Sequence, residues 1–185
     1  MRITPLELSG AFVLTPRRFG DARGFFSEVY SVPALRAAGV EDVFVHDNHA
    51  YSRDAGVIRG LHFQAPPHAQ AKLVRVARGA ILDVLVDIRH GSPSFGRHVA
   101  VEVSAEAWNQ IYVPAGFAHG YRTLTPETEV LYKVTEIYVP ESDRGLAFDD
   151  PDLGIDWRLD PGDAILSDKD RGHPRFKDLP EYFHY

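Results

Sequence analysis

The sequence predicts an all-β protein built as a double-sheet jelly roll. Short apolar stretches alternate with polar residues at a period of two, as expected for strands that bury one face. The chain has 15 glycines and 13 prolines spread along its length, which favour many turns between short strands. One short helix is convincing, and the absence of a strand–helix–strand rhythm argues against a parallel α/β sheet.

The N-terminal part combines two predicted strands with this helix. Residues 11–16 and 25–30 are predicted strands, separated by a loop rich in arginine and glycine. In the helix that follows, Ser31 is a suitable N-cap, Pro33 fits the first turn and Gly39 fits the position after the last turn. We expect the helix to be structural.

The middle of the chain supplies the remaining strands. The alternation predicts them at residues 42–51, 57–64, 72–77, 80–88, 98–103, 109–113, 118–124 and 129–139. Arg78-Gly79 is a strong hairpin signal and predicts that the strands on either side of it pair with each other. Beyond Pro140 the periodicity fades into turn-rich segments.

The composition limits the classes of function. At 185 residues the chain can bury a full core, and we predict one domain over residues 1–185. The formal net charge of −6 argues against nucleic acid or an anionic membrane as the main partner. The chain contains no cysteine, so disulfides, thiolate metal sites and cysteine nucleophiles are excluded. The N-terminus has no signal-type apolar core and no run has membrane-spanning length, so we expect a cytoplasmic protein.

Two histidines are the first candidates for chemistry. His62 ends an apolar stretch, where a polar side chain costs free energy unless it is satisfied, and His119 follows a Pro-Gly turn. A histidine in a strand is more often a satisfied core residue than a catalyst, so a structural role stays open. Lys72, Asp83 and Tyr132 lie on strands that could line the same cavity. Together these residue types suit the removal of a proton next to a carbonyl group.

A metal site is the competing use of the histidines. Jelly rolls that bind a metal need about three or four converging ligands. The first motif supplies His62 and Gln64, with no second histidine two residues further on. His68 and His119 would have to complete a weak set, so the spacing does not favour a catalytic metal.

Motifs along nearly the whole chain resemble those of a known family. They are Arg59-Gly-Leu-His-Phe-Gln, Gln70-Ala-Lys-Leu-Val-Arg, Arg23-Gly-Phe-Phe, Asp47-Asn-His, Gly79-Ala-Ile-Leu-Asp-Val, Pro114-Ala-Gly-Phe-Ala-His-Gly, Tyr132-Lys, Asp150-Pro-Asp-Leu-Gly-Ile-Asp-Trp and Leu166-Ser-Asp-Lys-Asp. In this order they resemble the dTDP-4-dehydrorhamnose 3,5-epimerase family. The resemblance implies a cupin-type jelly roll with one or two short peripheral helices, a reaction without metal or cofactor, and a homodimer.

The resemblance also implies roles by position. His62 would remove the protons next to the C4 ketone of a dTDP-4-keto-6-deoxyhexose, and Asp170 would orient its imidazole. Lys72 would stabilise the enolate oxygen, and Tyr132 would protonate the opposite face. The residues implied to contact the nucleotide sugar are Arg23, Glu28, Asp47, Asn48, His49, Arg59, His119, Tyr138, Asp143 and Lys169.

Three of these implications make structural demands. Arg59 and His62 would face the same ligand, although strict alternation puts them on opposite faces of their strand, so a bulge or twist near Gly60 is required. Asp143 stands where the family often has glutamate, which shortens its reach. The family also suggests a strand exchanged between subunits in the N-terminal part.

The expected reaction is epimerisation at C3 and C5, giving the 4-keto-rhamnose precursor used in surface polysaccharide. Three alternatives stay open: a relative that inverts only one carbon, a metal-dependent cupin isomerase or oxygenase, and a non-enzymatic jelly roll that binds sugar nucleotides.

Overall fold

A computed structural model describes all 185 residues, and strands dominate it. The strands are β1 (Arg2–Pro5), β2 (Phe12–Thr15), β3 (Phe19–Asp21), β4 (Gly24–Phe26), β5 (His46–Ser52), β6 (Ile58–Gln64), β7 (Lys72–Arg78), β8 (Ala80–Asp87), β9 (Arg89–His90), β10 (His98–Ser104), β11 (Gln110–Val113), β12 (Phe117–Thr123), β13 (Thr128–Val134), β14 (Asp143–Gly145) and β15 (Phe183–His184). The α-helices are α1 (Val32–Ala37) and α2 (Asp168–Arg171). Neither helix is long and apolar enough to cross a membrane.

Two antiparallel sheets form the body of the protein. The larger has six strands in the order β1-β2-β11-β7-β13-β5, and the smaller has five in the order β10-β8-β12-β6-β14. Strands that follow each other along the chain repeatedly lie in different sheets, which is the connectivity of a double-sheet jelly roll. The predicted all-β jelly roll with short helices is confirmed.

Buried side chains fill the space between the two sheets. Val74 and Val130 of the six-stranded sheet pack in one cluster with Ile81, Leu85 and Phe117 of the five-stranded sheet. Each fully buried aliphatic side chain of this kind contributes roughly 2 kcal/mol to stability. This shared core fixes the distance between the sheets, and therefore the width of any cavity between them.

The outer faces of both sheets are covered as well. Leu35 of α1 belongs to a buried cluster with Leu73 of the six-stranded sheet. On the other side, Phe148 and Trp157 belong to a cluster with the outward side chains of β6 and β8. Every residue of β8 except the first is buried as a result. The C-terminal region lacks periodicity because it is an irregular cover for this sheet.

The hairpin predicted at Arg78-Gly79 is wrong. β7 pairs with β11 and β13, whereas β8 pairs with β10 and β12, so the two strands belong to different sheets. Gly79 has a φ of +82° and forms a corner at which the chain crosses between the sheets. A period of two residues indicates which face a strand buries and not which strand it pairs with, so a corner of this kind resembles a hairpin.

Three predicted strands are shorter than expected. The strand predicted at residues 25–30 ends with β4, which pairs only with β3 in a separate two-stranded hairpin. The strands predicted at residues 42–51 and 129–139 shrink to β5 and β13. These two strands pair with each other from one end to the other, so their common register sets both limits.

The helix α1 forms where it is predicted. Pro33 lies in its first turn, and Gly39 follows the helix with a φ of +85°. Ser31 occupies the N-cap position, but its side chain makes no capping hydrogen bond.

β6 contains the bulge that the resemblance requires. β12 pairs with β6 at His62 and again at Arg59, three residues apart on β6 but two apart on β12. Gly60 has a φ of +131°, and a Cβ atom there would lie 2.5 Å from the Cα of Gly120. The extra residue changes the alternation, so Arg59 and His62 line the same cavity.

Candidate active site

A cavity of about 480 Å³ lies between the two sheets, which is the size of a small-molecule site. Strands β5, β6, β7, β12 and β13 and the chain around α2 provide its walls. Its polar lining residues are Arg59, His62, Lys72, His119, Tyr121, Tyr132, Ser167, Lys169 and Asp170. Half of the predicted site residues therefore lie together.

His62 and Asp170 form a buried pair in this cavity. The Nε2–H of His62 donates to a carboxylate oxygen of Asp170, which leaves the lone pair of the imidazole on Nδ1. The Ser167 hydroxyl donates to the other oxygen of Asp170 at 2.8 Å, and the backbone N–H of Asp170 donates back to Ser167 at 3.2 Å. The short helix α2 thus holds the carboxylate in one orientation.

Burial and charge act on this pair in opposite directions. Burial lowers the pKa of His62 below its ordinary value, and the hydrogen bond and charge of Asp170 reduce that fall without reversing it. Burial opposes ionisation of Asp170, but the nearby His173 and the hydrogen bond from His62 hold its pKa far below the usual range. At neutral pH the site therefore contains a neutral imidazole beside an ionised carboxylate, the state of a general base.

Lys72 brings an ammonium group close to His62. Its Nζ donates to the backbone carbonyl of His62 at 3.3 Å. Burial lowers the pKa of Lys72 to about 8, and the carboxylates of Asp83 and Asp143 limit the fall. A lysine of this kind can be protonated at neutral pH and still be placed against a ligand oxygen.

His119 has a different carboxylate partner. Its Nε2 lies 3.0 and 2.9 Å from the two oxygens of Asp83, and both residues are buried. Asp83 does point into the interior, as its strand position allowed. Asp170 is therefore hydrogen-bonded to His62, and Asp83 is hydrogen-bonded to His119.

Tyr132 lies on the opposite sheet from His62. Burial raises the pKa of Tyr132, and the nearby Arg59 guanidinium reduces that rise. Arg59 is held by β5, where its Nε donates to the Ser52 hydroxyl at 3.3 Å and its Nη2 to the Tyr51 carbonyl at 3.1 Å. A ligand between the sheets would thus have an imidazole on one side and a protonated phenol on the other.

Three predicted residues meet at the rim of the cavity. Asp143 accepts hydrogen bonds from the Tyr138 hydroxyl at 2.8 Å and from the Lys169 ammonium. Burial opposes the ionisation of Asp143, but these two hydrogen bonds hold its pKa below the usual value. Asp143, which stands where the family often has glutamate, is therefore already hydrogen-bonded to other side chains of the protein.

Four predicted site residues lie away from the cavity of this chain. On β5, the Asp47 carboxylate accepts from Lys133 at 2.8 Å and His49 contacts Glu129 at 3.0 Å. Alternation puts both on the face opposite to that of Ala50, a cavity residue, whereas Asn48 shares the face of Ala50. The structure therefore does not bring Asp47 and His49 to the cavity.

The other two predicted residues that lie away from the cavity are in the N-terminal part of the chain. They are Arg23 and Glu28, and both are exposed. Tyr138 is exposed as well and reaches the rim only through its hydroxyl.

The structure does not bring together the weak set of metal ligands considered from the sequence, which consisted of His62, Gln64, His68 and His119. The Gln64 side chain is used by backbone groups of His68, Ile137 and Val139. Another group does bring its ligand atoms within 4.8 Å of one another, namely His62, Asp170 and His173. Its neighbours include two lysine ammonium groups, whose positive charges oppose a divalent cation.

Sequence reasoning missed three residues of this site. His173 packs edge-on against the His62 ring, with its Nε2 3.4 Å from Asp170. Ser167 fixes Asp170, and Tyr121 lines the cavity floor. His173 and Ser167 lie in the irregular C-terminal region, where no periodicity indicates a face. Tyr121 resembles an ordinary core aromatic, and only its two-residue spacing from His119 on one strand could have pointed to the cavity.

The fold and the cavity together define the class of this protein as a cupin-type isomerase. A neutral imidazole and a protonated phenol on opposite walls can move protons on a carbon atom next to a carbonyl, with an ammonium group to stabilise the charge.

The chain belongs to the dTDP-4-dehydrorhamnose 3,5-epimerase family, whose sequence model matches residues 5–178. A 3,5-epimerase from Sinorhizobium fredii is 46% identical over 185 residues, covering 100% of this chain and 94% of that protein. The crystal structure of the epimerase from Bacillus anthracis, with TDP and PPi bound, is 47% identical with a TM-score of 0.91, covering 94% of this chain and 98% of that one. The Legionella pneumophila enzyme in complex with dTDP-4-keto-L-rhamnose is 38% identical with a TM-score of 0.94, covering 100% of this chain and 98% of that one. The family prediction and the isomerase class are confirmed.

Proposed function

We propose that this chain converts dTDP-4-keto-6-deoxy-D-glucose into dTDP-4-keto-L-rhamnose by inverting C3 and C5, as a step of dTDP-L-rhamnose biosynthesis. One observation carries the proposal: His62, which is paired with Asp170 of α2, and Tyr132 lie on opposite sheets around one cavity, with the Lys72 ammonium beside His62. A C3 and C5 epimerase needs this pairing of groups, because each carbon loses a proton from one face and gains one on the other.

In the proposed mechanism, Nδ1 of His62 removes a proton from the carbon next to the C4 ketone. The electron pair of the broken C–H bond moves to the ketone oxygen and gives an enolate, which the Lys72 ammonium stabilises. Tyr132 then donates its phenolic proton to the opposite face of the same carbon. The imidazole has gained one proton and the phenol has lost one, so both must exchange with water before the second carbon reacts.

The groups at the rim of the cavity suit the nucleotide part of this substrate. Arg59 offers a planar guanidinium to the diphosphate, and Lys169 adds a second positive charge. We propose that His119, Asn48 and Tyr138 contact the rest of the nucleotide sugar. His119 is buried and its Nε2 is hydrogen-bonded to Asp83, which fixes the orientation of the ring.

We further propose a homodimer in which the N-terminal hairpin of one protomer completes the cavity of the other. The β3–β4 hairpin is exposed: the Arg23 side chain is 90% accessible and Phe26 is 71% accessible. Exposed aromatic side chains of this kind are typical of interfaces. Arg23 and Glu28 do not line the cavity of their own chain, so a role in substrate binding requires the partner. A cytoplasmic location stays a prediction of the sequence.

Proton exchange in deuterated water tests the proposed reaction. With dTDP-4-keto-6-deoxy-D-glucose, we expect loss of the C3 and C5 proton signals in the NMR spectrum and deuterium at both carbons of the product. Exchange at one carbon would instead support a mono-epimerase. Tight binding without exchange would support a binding module, and activity lost on chelation would support a metal enzyme.

Two variants then test which residue removes the proton and which residue returns it. We expect His62→Ala to abolish exchange at both carbons, because the base is gone. Tyr132→Phe should allow proton loss but reduce product formation much more strongly, because reprotonation of the opposite face fails. Normal exchange in His62→Ala would defeat the mechanism, and equal effects of Tyr132→Phe on both steps would defeat its role as the acid.

A further inference from the structure

The hydroxyl group of Tyr121 is buried in the cavity wall and has no hydrogen-bond partner. The residue is only 5% exposed, and its ring packs in the cluster between the sheets. Phenylalanine would fill the same space without a polar atom. A buried hydroxyl without a partner destabilises the folded protein, so a group of this kind is expected to have a partner in some state of the protein.

The position of Tyr121 indicates where that partner binds. On β12, Tyr121 is two residues from His119 and therefore shares its face. The strand register places it opposite Arg59 on β6 and opposite Asp83 on β8. Tyr132 of the other sheet is near enough to influence its ionisation. The hydroxyl thus faces the same space as the proposed acid.

The neighbours of Tyr121 do not use its hydrogen-bonding capacity. His119 is engaged with Asp83, and two donors of Arg59 are engaged with β5. Burial raises the pKa of Tyr121, so its hydroxyl stays protonated and can donate. Among the buried groups of the cavity floor, this hydroxyl has its full donor and acceptor capacity free.

We propose that the Tyr121 hydroxyl donates a hydrogen bond to an oxygen atom of the bound hexose and thereby positions the sugar ring between His62 and Tyr132. The proposal rests on the proposed function, because it needs a sugar in the cavity. It assigns the contact to the hexose and not to the nucleotide, since the hydroxyl is buried near Tyr132, whereas the side chain of Lys169, the proposed partner of the diphosphate, is 51% accessible.

The variant Tyr121→Phe removes only the oxygen atom and tests the proposal. We expect kcat/KM to fall roughly 10- to 100-fold, the loss expected for one buried hydrogen bond to a substrate. The melting temperature of the free variant should stay equal or rise, because the unsatisfied hydroxyl is gone. A merely structural tyrosine would give the opposite result, with lower stability and an unchanged kcat/KM.

Two ligands distinguish a contact of Tyr121 with the hexose from a contact with the nucleotide. Measured by calorimetry, the affinity of Tyr121→Phe for dTDP should equal that of the wild type, whereas its affinity for the unreactive dTDP-glucose should be weaker. Tyr112→Phe is the matched control: the Tyr112 hydroxyl donates to Asp42, away from the cavity. That variant should lose stability and keep its kcat/KM and both affinities.

An unchanged kcat/KM in Tyr121→Phe, or an equal loss of affinity for dTDP and dTDP-glucose, would overturn the proposal. Failure of the proposed function has a different signature, since the wild type itself would then show no proton exchange. In that case the binding measurements alone test the contact. An affinity for dTDP-glucose that is equal in the wild type and in Tyr121→Phe overturns the proposal.

Discussion

At the scale of single residues, the chemistry of the site depends on two groups whose pKa values burial lowers. Burial lowers the pKa of His62 below 6.5, although Asp170 opposes this, and lowers the pKa of Lys72 to about 8. The proposed base must be neutral and the proposed ammonium must be charged. The proposed reaction therefore needs a pH above the pKa of His62 and below the pKa of Lys72.

This predicts a bell-shaped dependence of kcat/KM on pH. The acidic limb should reflect protonation of His62 below pH 6.5, and the basic limb should reflect deprotonation of Lys72 near pH 8. Initial rates across the pH range check the prediction. A profile that rises steadily through pH 8 and above would contradict the role of Lys72.

Asp170→Asn should move the acidic limb to lower pH. The carboxylate raises the pKa of His62, so its removal lets burial lower that pKa further. The maximal kcat/KM should fall by roughly 10²- to 10⁴-fold, since the imidazole becomes a weaker and less oriented base. Asp149→Asn removes a carboxylate that pairs with Arg175 outside the cavity, and both limbs should stay in place. An acidic limb that moves to higher pH in Asp170→Asn would contradict the pairing.

At the scale of elements, the bulge of β6 brings Arg59 and His62 to one cavity. Gly60 makes it possible through its positive φ and its close approach to β12. We expect Gly60→Ala to destabilise the protein by roughly 3 kcal/mol, combining backbone strain with overpacking, and to reduce kcat/KM. Thermal unfolding and initial rates measure the two effects.

Gly39→Ala provides the matched control for this variant. Gly39 also has a positive φ, but a Cβ atom there meets nothing within 4 Å. The control should therefore lose only about 1 kcal/mol, from strain alone, and keep its activity. Equal losses in the two variants would show that the contact with β12 is unimportant.

The elements also show what a sequence pattern can reveal. Alternation predicted most strands of the two sheets, because each of these strands buries at least one face, but it missed the short strands β1 and β14. It failed at Gly79, where the chain crosses from one sheet to the other, because the two-residue period of a strand does not indicate which strand it pairs with. It also placed Arg59 and His62 apart until the family motifs required a bulge.

At the scale of the whole molecule, the motifs predicted half of the site, and folding brought residues over a hundred positions apart into contact. His62 and Asp170 are the main example. The irregular C-terminal region, which supplies Asp170, Ser167 and His173, has no period from which a contact could be inferred. Arg23 and Glu28 lie outside the cavity of their own chain, so only the proposed dimer would give them a role in substrate binding.

The proposed exchange of hairpins predicts complementation between two inactive variants. Heterodimers of Arg23→Ala and His62→Ala, purified through two different tags, should contain one complete cavity out of two. If each hairpin serves the partner, activity should recover to about half of the wild-type value, because each C2 dimer has two equivalent sites. The two homodimers are the controls. Heterodimers no more active than the Arg23→Ala homodimer would show that Arg23 does not act across the interface.

The placement of His62 and Tyr132 on different sheets has a consequence for the charge of the enzyme during turnover. In the proposed mechanism, each inversion leaves one positive charge on His62 of the five-stranded sheet and one negative charge on Tyr132 of the six-stranded sheet. A second inversion cannot begin until water resets both groups. In that mechanism, the interval between the two inversions depends on how fast His62 and Tyr132 exchange protons with water, so a ligand that seals the cavity should slow inversion of the second carbon more than that of the first.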